Sequence, residues 1–368
     1  MSDFCKPTRR GALALAAAAV TLGLSGPAAA ADVSFEGETV EWIIPFKEGG
    51  GSDKWARFYA PLLAEALPGN PTIVVKNMPG AGSTKGANWF AKNADPDGLT
   101  ILGTSGSTQF PFLLGDKRVR FDYADWNVVL ASATGGVAYL PPDLAEQWAS
   151  DPQGLIDSTQ FIYGSQGATR LDLVPLLAWE MLGMKVEPIF GIKGRGEGRL
   201  MFERGEANID YQTSSGFLGK VTPLVEEGKA VPIMTWGALD EEGQIVRDPT
   251  FPDIPTFKEV YTQVKGTEPS GPEWDAWKAF FVAGFPAQKM VFLPGDTPAE
   301  ITDAYTAAFQ AVTARSDFAE ISKARLGVYP QSTGEAAKVK LTQGTVVDPE
   351  ATAWIKGWLS ERYGVSLD

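Results

Sequence analysis

A glycine-rich turn between a predicted strand and a predicted helix constrains this fold more than any other feature of the sequence. Residues 40–44 (VEWII) have the apolar character of a short strand, and residues 53–67 carry apolar side chains at helical spacing. The connecting segment from Pro45 to Asp53 reads PFKEGGGSD. Glycines let a backbone approach a ligand closely, and the free N–H groups of a first helical turn favour an anion. The turn is equally explained without a ligand, as a tight connection capped by Ser52 or Asp53.

Two further turns follow in the same part of the chain. After a predicted strand at 72–75, residues 77–86 read NMPGAGSTKG, with the glycine spacing G-x-G-x-x-x-G. A dinucleotide-binding fingerprint has the spacing G-x-G-x-x-G, so nucleotide binding is disfavoured. The segment 95–98 (DPDG) has turn composition and leads into a predicted strand at 100–103, which ends in a small polar loop.

Strand and helix patterns continue to alternate, which predicts an α/β fold with largely parallel sheets. The chain has 368 residues, about right for two α/β lobes. The aromatic-rich segment 274–285 is predicted to lie in a core, and the segment 240–272, rich in Pro, Gly and charge, is predicted to be surface loop. The remaining strands are predicted at 128–133, 136–140, 161–164, 185–190, 207–211 and 231–236, and the remaining helices at 86–93, 171–182, 200–204 and 297–313.

A second strand–loop–helix unit lies at residues 163–170 (YGSQGATR). Ser165 or Thr169 in it is suited to cap the helix or to bond a ligand oxygen. Arg170 is suited to pair with a carboxylate through two hydrogen bonds, and the alternative is a solvated helix residue. A nearby basic cluster suggests either anion steering or an ordinary solvated face, and it comprises Lys193, Arg195 and Arg199.

The first 31 residues have the pattern of a secretory signal peptide. A basic segment with Arg9 and Arg10 precedes an Ala/Leu-rich stretch at 11–23, and small residues suited to cleavage follow at 27–31. We therefore expect export to the periplasm, by general secretion or by the twin-arginine route. The single cysteine, Cys5, lies before the apolar stretch, so the exported chain has no cysteine and no disulfide.

The absence of certain residue types excludes several kinds of chemistry. The sequence contains no histidine, which excludes Ser-His-Asp and Cys-His catalysis. With no cysteine in the exported chain either, a zinc or copper site is disfavoured, and we expect no metal and no cofactor. Calcium bound through carboxylates stays open as an alternative, although the sequence has no EF-hand loop. A net charge of −13 argues against nucleic acid as a partner, although helix N-termini in a cleft can still bind an anion. A secreted hydrolase that uses carboxylates alone stays open as an alternative.

Several motifs, in this order, resemble the substrate-binding receptors of tripartite tricarboxylate transporters, the Bug/TctC-like family. The resemblance is strong from about 41 to 115 and weaker to about 319. It is carried by Pro45 to Asp53 with Arg57, by 77–86 and by 96–102. Weaker matches to the family pattern are Gly164-Ser165-x-Gly167, Lys193-Gly194, the segment 251–256 (FPDIPT) and Gly295-Asp296-Thr297-Pro298.

The resemblance implies an α/β, two-lobed periplasmic binding protein fold of type II with a hinge between the lobes. The expected division is lobe 1 at 32–135 plus 239–368 and lobe 2 at 136–238. The implied ligand is a small organic anion, either a di- or tricarboxylate or an aromatic carboxylate, held between the lobes without catalysis. First-lobe contacts are expected from Phe46, Glu48, Gly49, Gly50, Gly51, Ser52, Asp53, Gly80, Ala81, Gly82, Thr104 and Ser105, and second-lobe contacts from Ser165, Gly167, Ala168, Thr169, Arg170, Tyr211, Gln212 and Thr213.

The implied partners are the large and small membrane permease subunits of an ion-gradient-driven transporter. A periplasmic sensor component that binds the same ligand for a signalling partner is the alternative role. We expect a monomer, because a receptor of this kind must hinge. The second lobe departs from the family pattern, with Phe190-Gly191-Ile192 before Lys193-Gly194 and with Arg170, Asn208 and Gln212 at positions where other residues are expected. Extra sequence lies around 286–292.

Overall fold

The computed structural model describes residues 33–240 and 242–367. The predicted signal peptide lies outside the described residues. Within the described residues, no helix combines the length and the apolar character needed to cross a lipid bilayer.

Alternating strands and helices build a mixed α/β architecture, as the sequence predicts, but the expectation of largely parallel sheets is wrong. Among the described strand pairs three are parallel and six are antiparallel, because β12 enters the large sheet against β3 and β4 and because β5 pairs with β8 and β9 in antiparallel. The strands are β1 Thr39–Ile44, β2 Thr72–Asn77, β3 Thr100–Gly103, β4 Trp126–Ser132, β5 Gly136–Leu140, β6 Gln160–Ser165, β7 Lys185–Phe190, β8 Asp210–Thr213, β9 Val231–Thr235, β10 Ala238–Leu239, β11 Ile245–Val246, β12 Lys289–Pro294 and β13 Gln331–Ser332. The helices are α1 Gly51–Ala66, α2 Thr84–Asn93, α3 Gly106–Leu113, α4 Pro142–Ser150, α5 Pro152–Ser158, α6 Leu173–Leu182, α7 Arg195–Glu203, α8 Ser214–Gly216, α9 Thr222–Glu226, α10 Phe257–Lys265, α11 Pro272–Gly284, α12 Ala299–Thr313, α13 Phe318–Lys323, α14 Gly334–Thr345 and α15 Pro349–Tyr363.

The largest sheet has six strands in the order β13-β4-β12-β3-β1-β2. β1 is parallel to both β2 and β3, so the loops after β1 and β3 leave the same edge of the sheet. β12 is antiparallel to β3 and β4, with Val291 opposite Gly103. Residues just before β12 therefore lie at that edge too, beside the loops that follow β1 and β3.

The middle of the chain forms smaller sheets. β5 lies between β8 and β9 in an antiparallel three-stranded sheet, and β6 pairs with β7 in parallel. β4 runs directly into β5 through residues 133–135, so the chain passes from the large sheet to the small one without an intervening helix.

Aromatic side chains fill the cores on both sides of this crossing. Trp42, Trp55 and Tyr59 pack edge-to-face beneath the six-stranded sheet. A second cluster joins β5, β6 and α6 to α10, α11 and α15 and includes Trp179, Trp236 and Trp277. The aromatic segment 274–285 thus lies largely in a core, as predicted. The exact lobe boundaries given above stay a prediction.

The expectation of a surface loop at 240–272 is wrong for part of that segment. Residues 257–265 form α10, whose Phe257 and Val260 are buried. Thr256 caps the helix: its hydroxyl accepts from the Glu259 N–H at 3.1 Å, and the Glu259 carboxylate accepts from the Thr256 N–H at 2.7 Å. This reciprocal capping box is a sequence signal that outweighs the Pro, Gly and charge around it.

Candidate functional site

A small, partly open cavity of about 30 Å³ lies where the loops after β1 and β3 face the middle segment of the chain. Three helices begin at its wall. Gly50, Gly51 and Ser52 line it from the start of α1, Ser105 and Ser107 from the start of α3, and Gly194 and Arg195 from the start of α7. First-turn N–H groups lack intrahelical partners and carry the positive end of the helix dipole. The starts of α1 and α7 have no side-chain cap, whereas Ser105 caps α3, and three helix N-termini around one cavity suit a negatively charged group.

The described lining of this cavity contains no aspartate or glutamate, and Lys47 and Arg195 belong to it. The other lining residues are Phe46, Gln166, Leu171, Thr213 and Gln288. The charged side chains of the wall are therefore positive, like the helix ends beside them, although the whole chain carries a net charge of −13. A local anion site in an acidic protein needs only local donors.

Asp53 holds the first glycine loop in place. Its buried carboxylate accepts from the Gly49 N–H at 2.8 Å, from Arg57 Nε at 2.9 Å and from Asn77 Nδ2 at 3.1 Å. The same Asn77 amide donates to the Phe46 carbonyl at 2.9 Å. The N-cap of α1 is Gly50, and no side chain caps it. The capping of α1 by Ser52 or Asp53 is therefore absent, and its N-terminal donors stay open toward the cavity.

The second glycine loop is tightly bent. Gly80, Ala81, Gly82 and Ser83 have φ values of +134°, +47°, +59° and +76°. Arg170 Nη2 donates to the Ala81 carbonyl at 3.1 Å. A Cβ on Gly82 would come within 2.0 Å of Arg170 Nε, so glycine is required there both for conformation and for space.

Arg170 is buried, with 2 % of its surface exposed, and the expectation of a solvated helix residue is wrong. Its Nη2 lies 4.0 Å from Asp116 Oδ2, while Arg118 holds the same carboxylate at 2.5 Å. Nη1 has no hydrogen-bond partner among the described residues. Burial and the nearby Arg118 charge lower the pKa of Arg170 to about 10. The side chain stays charged at neutral pH and is only partly neutralised by its neighbours.

A buried ionic network fixes the start of α7 and the strand β8. Arg195 donates to the Gly164 carbonyl at 2.6 Å and pairs with both Asp172 and Asp210. Tyr139 donates to Asp210, and Tyr211 donates to Asp172 at 3.1 Å. Burial raises the pKa of the Asp210 carboxyl, against the lowering effect of Arg195. The basic cluster is therefore no solvated face at Arg195, which instead organises the second half of the site.

A second cavity of about 260 Å³ adjoins the first and shares Lys47, Gly50 and Gly194 with it. Arg199 and Lys220 line it, together with Glu48 and Glu197. Lys54 lies close to this group: burial, followed by the charges of Lys220 and Arg199, lowers the pKa of Lys54 to about 8. Lys54 Nζ is buried and has no hydrogen-bond partner among the described residues. The larger cavity is thus lined by three basic side chains and two acidic ones, and Arg199 among them also pairs with Glu203.

The two sides of the cavity touch directly. Ser215 Oγ donates to the Gly51 carbonyl at 3.2 Å, and a Cβ on Gly51 would come within 2.6 Å of Thr213 Oγ1. A side chain at position 51 would therefore hold the loop after β1 away from β8.

The structure brings part of the predicted site together. Phe46, Gly50, Gly51, Ser52, Ser105 and Thr213 line the smaller cavity, and Glu48 and Gly49 line the larger one. The other predicted residues lie behind or beside these walls, and their contact with a ligand stays a prediction: Asp53, Gly80, Ala81, Gly82, Thr104, Ser165, Gly167, Ala168, Thr169, Arg170, Tyr211 and Gln212.

Sequence reasoning missed several lining residues. Ser107, Gln166 and Leu171 stand within two residues of predicted ones and carry no separate signal. Gln288 comes from a different part of the chain, just before β12. Its only signal was the extra sequence around 286–292, and its place at the cavity follows from the antiparallel pairing of β12.

Comparisons with known proteins find relatives of similar sequence. No family model matches the chain. A UPF0065 protein of Bordetella pertussis is 29 % identical over 273 residues, which cover 72 % of this chain and 76 % of that protein. Protein BugT of the same organism is 38 % identical over 87 residues, 24 % of this chain and 25 % of that protein.

Solved structures show the same fold. The periplasmic binding protein BugD matches with a TM-score of 0.64 at 22 % identity, over 87 % of this chain and 97 % of that one. MatC from Rhodopseudomonas palustris, with bound malate, matches with a TM-score of 0.61 at 21 % identity, over 86 % and 97 %. A further R. palustris protein, solved with adipate, matches with a TM-score of 0.66 at 17 % identity, over 89 % and 98 %.

The fold is therefore that of a two-lobed α/β periplasmic binding protein. Together, these relatives and structures confirm the predicted resemblance to the Bug/TctC-like substrate-binding receptors of tripartite tricarboxylate transporters.

Proposed function

We propose that this protein is a periplasmic solute-binding receptor that captures a small organic anion between its lobes. The observation that carries the proposal is the convergence of the starts of α1, α3 and α7 on one cavity whose described lining has no carboxylate. Such a wall can donate hydrogen bonds to a carboxylate, and it has no negative side chain that would repel the carboxylate. The predicted signal peptide and the resemblance to periplasmic receptors support the location.

A di- or tricarboxylate suits the two adjoining cavities better than an aromatic carboxylate. One carboxylate occupies the smaller cavity, and the rest of the ligand extends into the 260 Å³ cavity with Arg199 and Lys220. Lys54 beside them adds a further positive charge. A second carboxylate would be stabilised there, whereas an aromatic ring would displace water from charged groups without replacing their hydrogen bonds.

The receptor delivers its ligand to the large and small permease subunits of a tripartite transporter, and it catalyses no reaction. A carboxylate-type hydrolase needs a pair of acids that face its substrate. The buried pair beside the site, Asp172 and Asp210, is held by Arg195 and lies behind the cavity wall. A periplasmic sensor component would use the same site. The neighbouring genes distinguish transport from sensing, because they encode permease subunits in the first case and a sensor kinase in the second.

The test is isothermal titration of the protein without residues 1–31 against succinate, malate, citrate, benzoate and neutral sugars. We expect saturable binding of at least one di- or tricarboxylate and none of the sugars. Binding of neutral solutes alone would reject the proposal.

Gly51→Val should weaken carboxylate binding strongly, roughly 100-fold or more, because the new side chain collides with Thr213 and Ser215 when the lobes close. Gly357→Val is the matched control, since a Cβ at Gly357 on α15 meets no atom within 4 Å. Both variants should fold, as judged by circular dichroism and by urea unfolding. Loss of stability in Gly51→Val equal to the loss of binding would mean that the loop is only structural.

A further inference from the structure

Gln288 is an unpaired amide at the wall of the anion cavity. Its side chain lines the smaller cavity together with Ser52 and Ser105, and only 3 % of the residue is exposed. Its Oε1 is buried and has no hydrogen-bond partner, and no described residue bonds to its Nε2. A buried amide without partners is unfavourable unless a ligand supplies them.

The position of Gln288 follows from the sheet. Because β12 is antiparallel to β3, with Val291 opposite Gly103, residue 288 reaches the edge from which the loops after β1 and β3 also leave. The amide therefore stands beside the N-termini of α1 and α3. This residue belongs to a C-terminal segment that none of the glycine-loop motifs includes.

The cavity offers many donors but few free acceptors. Helix N-termini supply N–H groups, which suit carboxylate oxygens. Ser105 Oγ already accepts from the Ser107 N–H at 3.3 Å, and Ser107 Oγ accepts from the Leu171 N–H at 3.2 Å. The Gln288 amide adds one acceptor and one pair of donors, and so matches a ligand group that carries a hydroxyl beside a carboxylate.

We propose that Gln288 is a specificity residue that selects carboxylates with a hydroxyl on the neighbouring carbon, its amide oxygen accepting the ligand O–H and its NH₂ donating to the same ligand. This inference rests on the proposed function. It narrows the ligand from organic acids in general to 2-hydroxy acids, and it assigns that choice to β12 instead of to the glycine loops.

Malate and succinate test the inference, because they differ by one hydroxyl at equal charge. We expect the wild-type protein to bind malate about 5- to 100-fold more tightly than succinate, the range that pairing of one buried polar group spans. Gln288→Met has nearly the same shape and no amide. It should bind succinate within about threefold of wild type and reduce the malate-to-succinate ratio to near one.

Gln109→Met is the matched control. Gln109 is also a buried glutamine, but its Nε2 donates to the Ala283 and Gly344 carbonyls at 3.1 Å, and it does not line the cavity. Its substitution should lower stability and leave the ligand ratio unchanged. An equal shift of the ratio in both variants would overturn the assignment.

A second measurement uses only the wild-type protein, in case Gln288→Met does not fold. 2-Methoxysuccinate retains the oxygen and cannot donate, so we expect it to bind no better than succinate. Binding of malate and succinate with equal affinity would overturn the inference and leave the proposed function intact. Binding of neither acid, nor of any other carboxylate, would reject the proposed function and the inference together.

Discussion

Single residues at the candidate site fall into two groups, those that line the cavity and those that support the lining from behind. Gly51 and Ser52 line the cavity, whereas Asp53 faces back into the protein and holds the Gly49 N–H. On the other side of the cavity, Arg195 is both a wall residue and the centre of a buried network. Adjacent positions in one motif therefore have different sensitivities to substitution.

Lys289 is a buried lysine whose charge affects the stability of the folded protein. It is 2 % exposed at the start of β12, and burial alone lowers the pKa of its amine to about 7 from the ordinary value of 10.5. Below pH 7 the charge is present in both the folded and the unfolded chain, so its full burial cost, on the order of a few kcal/mol, opposes folding. Between pH 7 and 10.5 the unfolded chain binds the proton and the folded chain does not, so stability rises with pH.

Lys289→Met should therefore increase the free energy of unfolding, by several times more at pH 6 than at pH 9.5. Urea unfolding at the two pH values measures this difference. Lys92→Met is the control, because Lys92 is exposed at the end of α2 and should show no such dependence. An increase of equal size at both pH values would mean that folding does not lower the pKa of Lys289.

At the scale of elements, the starts of three helices bring backbone N–H groups and the positive ends of their dipoles to one cavity. α1 and α3 have no carboxylate aimed into the cavity, and α7 begins with Arg195. The sheet places the first two helices, because β1 and β3 are parallel and end at one edge. The convergence of helix N-termini on this cavity is thus a consequence of strand direction and helix polarity together.

Lys54, in the first turn of α1, gives this element a measurable pH dependence. Its pKa is lowered to about 8, chiefly by burial and then by Lys220 and Arg199. A second ligand carboxylate in the larger cavity would favour the charged amine and raise that pKa on binding. Affinity for a dicarboxylate should therefore be constant below pH 8 and fall as the pH rises from 8 to 10.

Titration calorimetry of succinate at pH 7, 8, 9 and 10 checks this expectation. The affinity of wild type should decline toward that of Lys54→Met, whose own affinity should change little over the range. A monocarboxylate of similar size serves as the control, since it leaves the second cavity without a charge. Parallel pH curves for wild type and Lys54→Met would contradict a role for Lys54.

At the scale of the whole molecule, the connection from β4 to β5 meets residues from three other parts of the chain at a buried polar cluster. Tyr329 donates to both oxygens of Asp248 at 2.8 Å and lies 2.6 Å from Ser214 Oγ. Gly135, on the connection from β4 to β5, packs so closely that a Cβ would come within 1.9 Å of Asp248. Burial raises the pKa of the Asp248 carboxyl, while its hydrogen bonds lower it.

Tyr329→Phe should destabilise the protein by about 1–3 kcal/mol, because it removes the hydroxyl that pairs with a buried carboxylate. The loss should be larger at a pH above the raised pKa of the Asp248 carboxyl, where the group is ionised, than at a pH below it, where the neutral acid needs less support. Urea unfolding at a series of pH values from 4 to 8 measures the change. A loss independent of pH would indicate that the hydroxyl contributes only through packing with Ser214.

The first lobe shows how much the sequence alone predicts. Turn residues and short-range periodicity predicted β1, α1, β3 and the glycine loops between them, because these features depend on neighbours in the chain. A capping box was also present in the sequence at Thr256 and Glu259, yet composition misled the assignment of 240–272. Interactions between neighbours in the chain therefore determined most helices and strands, and also the glycine-rich composition of the loop after β1.

The tertiary structure decided which of these elements face one cavity. Gln288 lies 236 positions after Ser52 in the chain, and only the antiparallel placement of β12 brings it to the same wall. The burial of Arg170 and Arg195 likewise depends on packing partners far away in sequence. The sequence determined a strand–glycine–helix unit with open donors, because those are local properties. Long-range strand pairing and desolvation decided where the charges are buried and which side chains face the ligand cavity.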